Sequence, residues 1–119
     1  MSASTHSNSS PRLAIVTGGG GFIGSHLVDA LVAGGMRVRV IENFATGQRN
    51  YINPAAELIE TDIRDAVAIN PHFAGVDTVF HVAALPRIPL SIAMPVETHM
   101  TNVVGSLNVL IASRDAGVR

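Results

Sequence analysis

The sequence contains no cysteine and no lysine, and each absence excludes a class of chemistry. Without cysteine the chain can form neither a disulfide framework nor a thiolate metal site, which fits a reducing compartment, and we expect a cytoplasmic protein. Without lysine it can hold neither a Walker phosphate loop nor a catalytic lysine. The eight basic residues are all arginine and the net charge is -1. The chain therefore offers no basic face to a nucleic acid or a membrane, and neither partner is expected.

Metal ligands and long apolar runs are also scarce. The five histidines are His6, His26, His72, His81 and His99. None of them follows another at the i, i+4 spacing of a helical metal site, so no metal is expected. No apolar segment approaches the length of a membrane span. Residues 1–12 are polar and rich in serine, and they are predicted to form a flexible tail and not a signal peptide.

What the chain does contain is a regular alternation of strand and helix patterns. At 119 residues and 47% hydrophobic, it has the size of one domain or part of one. The run from Leu13 to Val16 predicts a buried strand that a glycine cluster stops. Apolar positions from Phe22 onwards recur at helical spacing until Gly34, and a second strand then ends at Glu42. Together these segments form a β-turn-α-β unit of about thirty residues.

The second half of the chain continues the alternation. A short third strand is predicted around Leu58, and a helix over residues 65–73. Thr78 to Ala83 predict a fourth strand, and after a proline-punctuated loop a long amphipathic helix runs to Ala116. Strands that alternate with helices predict an α/β fold, a Rossmann-type doubly wound parallel sheet with helices on both faces. Residues 13–119 would supply about four strands of this larger dinucleotide-binding domain.

Three glycines lie between the first strand and the first helix, where a Rossmann fold binds a pyrophosphate. Gly18 permits the tight turn, Gly21 leaves room for the phosphates, and Gly24 lets the helix pack against the strand. Free N–H groups at the start of the helix attract the anion. The alternative is a glycine turn with a purely structural role. The strand before it, the helix after it and an acid at the end of the next strand favour dinucleotide binding.

Glu42 lies at the end of the second strand, and it bears on the choice of cofactor. A carboxylate there accepts hydrogen bonds from the hydroxyls of the adenosine ribose and repels a 2′-phosphate. No arginine immediately follows Glu42 to offset that repulsion. The sequence therefore favours NAD over NADP. The alternative interpretation is a solvated carboxylate at a strand end.

At these residues the sequence resembles the extended short-chain dehydrogenase/reductase family, and within it the NAD-dependent sugar-nucleotide epimerases and dehydratases related to UDP-glucose 4-epimerase. The segment from Thr17 to Asp29 looks like the opening signature of that family. Residues 42–47 look like its ribose loop, which usually begins with Asp and here begins with Glu. Asp62 with Ile63 is similar to the adenine-contacting pair, and residues 81–84 resemble the segment that passes under the nicotinamide ribose.

The resemblance extends from about Leu13 to Arg119 and implies a set of cofactor-binding residues. These are Gly18, Gly21, Phe22, Ile23, Gly24, Glu42, Asn43, Thr46, Gly47, Asp62, Ile63, Ala83, Ala84 and Asn102. For Asn102 the alternative is a solvated residue on the last helix. Arg87 either contacts a substrate phosphate or faces water. His81 is interpreted as a packed strand residue and not as a catalyst.

The resemblance also implies a reaction that needs residues this chain lacks. In that family a tyrosine and a lysine four residues later move the proton while NAD takes the hydride. Tyr51, the only tyrosine, is followed four residues later by Ala55, so no catalytic residue of this pattern is present. We expect the N-terminal part of an enzyme that acts on a nucleotide sugar, a homodimer in its full-length form, truncated before the catalytic pair.

The alternative function is a non-catalytic dinucleotide-binding module, or a half-domain completed by another chain. A coding sequence that continues past Arg119 into a Tyr-x-x-x-Lys motif would distinguish the two. In the resembled fold the fourth strand lies between the first and a fifth, so residues 78–83 would form a bare edge. The apolar stripe of Val103, Leu107 and Leu110 on the last helix would have less surface to pack against and would add to an exposed apolar patch. We therefore expect the isolated chain to be inactive and to associate.

Overall fold

Four strands rich in apolar residues lie parallel in one sheet. The computed structural model describes residues 12–44, 47–83, 96 and 100–118. The strands are β1 (Leu13–Thr17), β2 (Arg37–Glu42), β3 (Glu57–Glu60) and β4 (Thr78–His81). The α-helices are α1 (Phe22–Ala33), α2 (Ala66–Ile69) and α3 (Ser106–Asp115). Short 3-10 helices cover Arg49–Tyr51 and Asn70–Phe73, and a π-helix covers Met100–Gly105.

The order of the strands across the sheet is β3-β2-β1-β4, and each neighbouring pair is parallel. In the centre, Val16 of β1 lies between Val40 of β2 and Phe80 of β4. Where the strands end, Glu42 of β2 pairs with Glu60 of β3. Because parallel strands all end at the same edge, the loops that follow them meet there, and ligands bind there in open α/β sheets. The predicted Rossmann-type sheet is confirmed.

Helices cover both faces of the sheet, as the fully buried apolar run of the central strand β1 requires. On one face α1 packs through Val28 against Val16. On the other face α2 and α3 contribute Ile69 and Val109 to a cluster that includes Ile15. Ile15 and Val16 are consecutive residues of β1, so their side chains point to opposite faces of the sheet. One central strand thus supports both helical layers.

β4 ends two residues earlier than the sequence predicts. The predicted strand runs from Thr78 to Ala83, whereas the strand ends at His81, because its register partner Thr17 is the last residue of β1. Beyond His81, the N–H of Val82 donates to the carbonyl oxygen of Thr17 at 3.2 Å, and the N–H of Ala83 donates to Oγ1 of Thr17 at 3.1 Å. In the described part of the sheet, β4 is an edge strand beside β1.

The helix predicted over residues 65–73 is divided into two parts. Asp65 caps α2 by accepting a hydrogen bond from the N–H of Ala68 at 3.1 Å. The chain then tightens into the 3-10 helix Asn70–Phe73, which has Pro71 near its start. Proline lacks an N–H donor, so Pro71 cannot donate the next hydrogen bond of the α-helix, and α2 ends at Ile69 although Asn70 keeps the α conformation, with φ of -53° and ψ of -46°.

The predicted long last helix is irregular, because Met100–Gly105 form the π-helix and α3 begins at Ser106. Val109 and Ala112 pack into the core. The apolar stripe expected to be left uncovered is indeed exposed, and each of its residues, Val103, Leu107 and Leu110, is more than half exposed. The helix is followed by Gly117, whose φ of +75° fits the left-handed cap that ends many helices.

Some predictions concern residues outside the described part of the chain. These are the tail up to residue 11, Thr46, Ala84 and Arg87. Within the described ranges, no helix combines the length and the apolar character needed to cross a membrane.

Candidate nucleotide-binding site

The turn after β1 requires glycine at two of the three predicted positions. Gly18 has a φ of +76°, in the left-handed region, and a Cβ there would lie 2.9 Å from Cα of Ala83. A Cβ on Gly24 would lie 2.1 Å from the carbonyl oxygen of Gly18, so the helix packs directly against the turn. The fold by itself therefore accounts for Gly18 and Gly24.

Gly21 differs from them, because the fold does not require glycine at that position. Its φ of -84° suits any residue, and a Cβ would meet its nearest neighbour, the carbonyl oxygen of Gly18, at an ordinary 3.5 Å. Gly21 is also the N-cap of α1, without a side chain to cap it. The N–H groups of the first helical turn have no acceptor within the helix. Open space beside these donors suits an anionic phosphate.

Glu42 is buried at the end of β2, only 7% exposed, and its carboxylate joins the loop after β2 to the glycine turn. Oε1 accepts a hydrogen bond from the N–H of Gly20 at 2.8 Å, and Oε2 accepts one from the N–H of Phe44 at 2.9 Å. A Cβ on Gly47 would lie 2.8 Å from Oε1, so glycine is needed there too. This burial contradicts the interpretation of Glu42 as a solvated carboxylate.

The two main-chain bonds leave Glu42 with further acceptor capacity. A carboxylate has about four acceptor positions, and the donors from Gly20 and Phe44 use one on each oxygen. Ribose hydroxyls are donors that suit the remaining positions. Phe44 itself has a φ of +60°, uncommon for a bulky residue, and its bond to Glu42 helps to hold it there.

Asn43 and Asp62, both predicted to bind the cofactor, lie together at the same edge. Nδ2 of Asn43 donates to Oδ2 of Asp62 at 3.1 Å. Arg64 donates to the same carboxylate from Nε at 2.8 Å and from its main-chain N–H at 2.9 Å. Burial raises the pKa of Asp62, but the hydrogen bonds from Arg64 and Asn43 outweigh it and hold the pKa below its usual value. Asp62 is therefore ionised at neutral pH and acts as an acceptor.

Three of the residues predicted to bind the cofactor can contact it only or mainly through main-chain atoms. Phe22 and Ile23 begin α1 with side chains that are 72% and 70% exposed, so their part in an anion site would come from their N–H groups. Ile63 belongs to the core cluster and packs with Ile41 and Ile69. Any contact between Ile63 and a ligand would therefore use its backbone.

A series of hydrogen bonds links the ends of β1 and β4 to α3. Oγ1 of Thr17 accepts from the N–H of Ala83 and lies 2.7 Å from Nδ1 of His81. Nε2 of His81 lies 2.7 Å from Oγ of Ser106, whose hydroxyl donates to the carbonyl oxygen of Asn102 at 2.8 Å. Because the Ser106 proton goes to that carbonyl, His81 carries its proton on Nε2 and accepts at Nδ1 from Thr17. Burial lowers the pKa of His81, which favours this neutral form.

Arg49 also lies at this edge, although its sequence position gives no signal for it. Its guanidinium lies 4.5 Å from the centre of the Phe44 ring, in a cation–π contact. Nη2 of Arg49 lies 2.5 Å from Oε2 of Glu60. No arginine immediately follows Glu42 in the sequence, but Arg49 returns to the same loop, where its charge is paired with that of Glu60.

The described residues gather a set of side chains and main-chain donors suited to a dinucleotide. No group of three or more potential metal-binding side chains comes together in the ranges that the structure describes. The glycine turn, Glu42, the Asn43–Asp62 pair and Ala83 all lie where the strands end. The spacious position at Gly21 is the feature that a bound pyrophosphate would explain.

Comparisons with known proteins agree with this geometry. The NAD dependent epimerase/dehydratase family matches residues 14–119. UDP-glucuronic acid decarboxylase 4 of Arabidopsis thaliana is 41% identical over 88% of this chain, which covers 24% of that protein.

Solved structures give the same result. The UDP-glucose 4-epimerase of Thermotoga maritima, solved with UDP-glucose, matches with a TM-score of 0.87 and 37% identity, over 89% of this chain and 35% of that one. The UDP-glucose 4-epimerase of Thermus thermophilus, solved with NAD, matches with a TM-score of 0.84 and 37% identity, over 90% of this chain and 35% of that one. This chain thus spans between about a quarter and about a third of the length of these relatives. It belongs to the NAD-dependent epimerase/dehydratase family.

Proposed function

We propose that this chain forms the NAD-binding part of an NAD-dependent epimerase or dehydratase that acts on a nucleotide sugar. The observation that carries the proposal is the position of Gly21. The fold tolerates a Cβ there, yet the sequence has glycine, beside the free N–H groups that begin α1. A purely structural turn gives no reason for that glycine, whereas the approach of a pyrophosphate does.

The residues at the edge of the sheet would hold NAD at successive points. The pyrophosphate would lie against Gly21 and the first turn of α1. The adenosine ribose would bond to the free acceptor positions of Glu42, with Asn43 and Asp62 next along the edge toward the adenine. On the other side of the turn, the segment at Ala83 would lie under the nicotinamide ribose.

In this proposal the described residues bind NAD and orient it, and they do not themselves transfer a proton. When bound, NAD supplies a hydride acceptor for the transient oxidation of a sugar hydroxyl. His81 is bonded at both ring nitrogens, to Thr17 and Ser106, and its lowered pKa keeps it neutral. Its role is to link the end of β4 to β1 and α3, because its proton and its acceptor nitrogen are both used in these two bonds.

The proton-transferring groups would come from elsewhere in the protein. A general acid or base must have a suitable pKa and must reach the substrate. The 119 residues include no lysine, and Tyr51 lies exposed in a 3-10 helix after the ribose loop. Since the chain spans about a third of its epimerase relatives, we assign the catalytic pair, most of the sugar site and the homodimer contact to residues outside these 119.

A dinucleotide-binding module without turnover is the second candidate, and the lack of lysine favours it. Both candidates require the chain to bind NAD, and titration calorimetry of the purified chain with NAD tests this. We expect saturable binding that is lost in Gly21→Val. An assay of the full-length protein with UDP-glucose and NAD then separates them. Conversion of the sugar supports the enzyme, whereas NAD binding without turnover of any nucleotide sugar supports the module. Turnover by the 119 residues alone would contradict our assignment of the catalytic pair.

A further inference from the structure

Two glutamates end neighbouring strands at the proposed ribose site, and their charges are compensated in different ways. Glu42 and Glu60 are register partners in the parallel pair of β2 and β3. Glu42 is buried and accepts hydrogen bonds from main-chain N–H groups. The Glu60 side chain is half exposed and its carboxylate is paired with the guanidinium of Arg49. The edge therefore carries one fixed negative charge and one ion pair that is accessible to water.

The loop that carries Arg49 is attached to the glycine turn. The N–H of Gln48, the residue before it, donates to the carbonyl oxygen of Gly20 at 2.8 Å. The ring of Phe44 packs beside the same turn, since a Cβ on Gly20 would lie 3.2 Å from its Cε1. The Arg49 guanidinium lies over that ring. The Phe44 ring is thus in contact with this cation and also lies beside the turn that would hold the phosphates.

A cation in this position matters because NADP differs from NAD by a phosphate on the adenosine ribose. Arginine is the side chain best suited to bind a phosphate, through two parallel hydrogen bonds. In this structure Arg49 is already bonded to Glu60, and its side chain is 63% exposed. An exposed ion pair contributes little to stability, so its partners can separate at small cost.

We propose, on the basis of the NAD site proposed above, that the Arg49–Glu60 pair determines how strongly the site prefers NAD over NADP. Glu60 holds the guanidinium and compensates its charge, so that Glu42 repels a 2′-phosphate without opposition. Without the Glu60 carboxylate, Arg49 becomes available to a 2′-phosphate and offsets that repulsion. Arg49 and Glu60 are in this sense specificity-determining residues, although NAD itself needs neither of them.

The test compares NAD and NADP binding by calorimetry in the full chain and its variants. Glu60→Gln is expected to raise the affinity for NADP roughly 3- to 10-fold, the scale of a charge-assisted pair near the surface, while NAD affinity stays within about twofold. The matched control is Glu57→Gln, which removes the same charge from the other end of β3. Glu57 pairs with Arg39 at 2.9 Å at the edge away from the proposed site, and Arg39 also donates to the carbonyl oxygen of His72 at 2.9 Å, so this control breaks an ion pair without releasing the arginine.

Arg49→Gln in the Glu60→Gln background separates the arginine from the loss of a negative charge. The gain in NADP affinity should disappear in this double variant, and in the single Glu60 variant it should shrink at high ionic strength. A gain that survives without Arg49, or one that Glu57→Gln reproduces, would overturn the proposal. So would an unchanged NADP affinity in Glu60→Gln when NAD binds normally. If the unsubstituted chain binds no NAD at all, the proposed function fails, and this inference fails with it.

Discussion

The carboxylate of Glu42 accepts a hydrogen bond at 2.8 Å from the main-chain N–H of Gly20, which lies 22 residues earlier in the chain. This bond connects the end of β2 to the turn after β1. The side chain proposed to bind the ribose therefore also positions the loop proposed to bind the phosphates. A carboxylate acceptor makes such a bond stronger than a neutral one would be.

Glu42→Ala should therefore weaken the fold as well as the cofactor preference. The N–H groups of Gly20 and Phe44 would lose their acceptor, and we expect the free energy of unfolding to fall by about 1–3 kcal/mol. The preference for NAD over NADP should narrow, because both the ribose bonds and the repulsion disappear. Urea unfolding and paired titrations measure the two effects. If neither the free energy of unfolding nor the preference for NAD changed, the carboxylate of Glu42 would have no influence on the fold or on the choice of cofactor.

Gly21 and Gly24 provide a matched pair of substitutions. Gly21→Val should change the free energy of unfolding by no more than about 1 kcal/mol, since the position is an N-cap with room for a Cβ. NAD affinity should nevertheless fall at least about tenfold, because the side chain would occupy the approach of the pyrophosphate. Gly24→Ala should instead cost more than about 3 kcal/mol through its clash with Gly18.

Circular dichroism melts and NAD titrations of the two variants distinguish these effects. Normal NAD affinity in a folded Gly21→Val variant would mean that the glycines form only a turn.

Protonation of His81 should destabilise the chain in mild acid. Burial lowers the pKa of His81 in the folded state, so the unfolded chain binds a proton more readily. The contribution of neutral His81 to the free energy of unfolding is then fully present above the ordinary histidine pKa of about 6.5, and it is lost as the pH falls below that value. A protonated ring would also present an N–H at Nδ1, toward a Thr17 oxygen that already accepts from Ala83.

Melting temperatures between about pH 7.5 and 5.5 test this effect of His81. His81→Gln should flatten the pH dependence, whereas the control His26→Gln, on the exposed side of α1, should keep it. Equal slopes in the two variants would show that another group is responsible.

The exposed stripe of α3 should make the 119-residue chain associate. Leu107 and Leu110 are 54% and 67% exposed. Light scattering should detect oligomers, and Leu107→Glu with Leu110→Glu should reduce them. The control Val67→Glu changes a side chain that is 85% exposed on α2 and should have less effect. A monodisperse monomer before any substitution would contradict this prediction.

Local patterns were sufficient to predict the β1-turn-α1-β2 unit. An apolar run, the spacing of Gly18 and Gly24, and an acid at a strand end each have one dominant physical explanation. Such patterns do not specify which face of a helix is buried. Ile23 has the helical spacing of a core residue but is 70% exposed, because α1 approaches the sheet through Gly24 and Val28.

The contacts that complete the site were not predictable, because they join residues distant in sequence. β4 ends early because its register partner Thr17 is the last residue of β1, and the N–H of Ala83, 66 residues after Thr17, then bonds to the Thr17 side chain. Arg49 reaches the Phe44 ring because the loop folds back, with Phe44 in a left-handed conformation that the sequence does not suggest. No periodic pattern encodes the path of such a loop.

The most direct test of this account is a comparative calorimetric titration of the unsubstituted chain with NAD and NADP. The central claim is that the glycine turn and Glu42 form a site for NAD. We predict saturable binding of one NAD per chain, with NADP binding more weakly. No binding of NAD, or NADP binding that is equal or tighter, would contradict it.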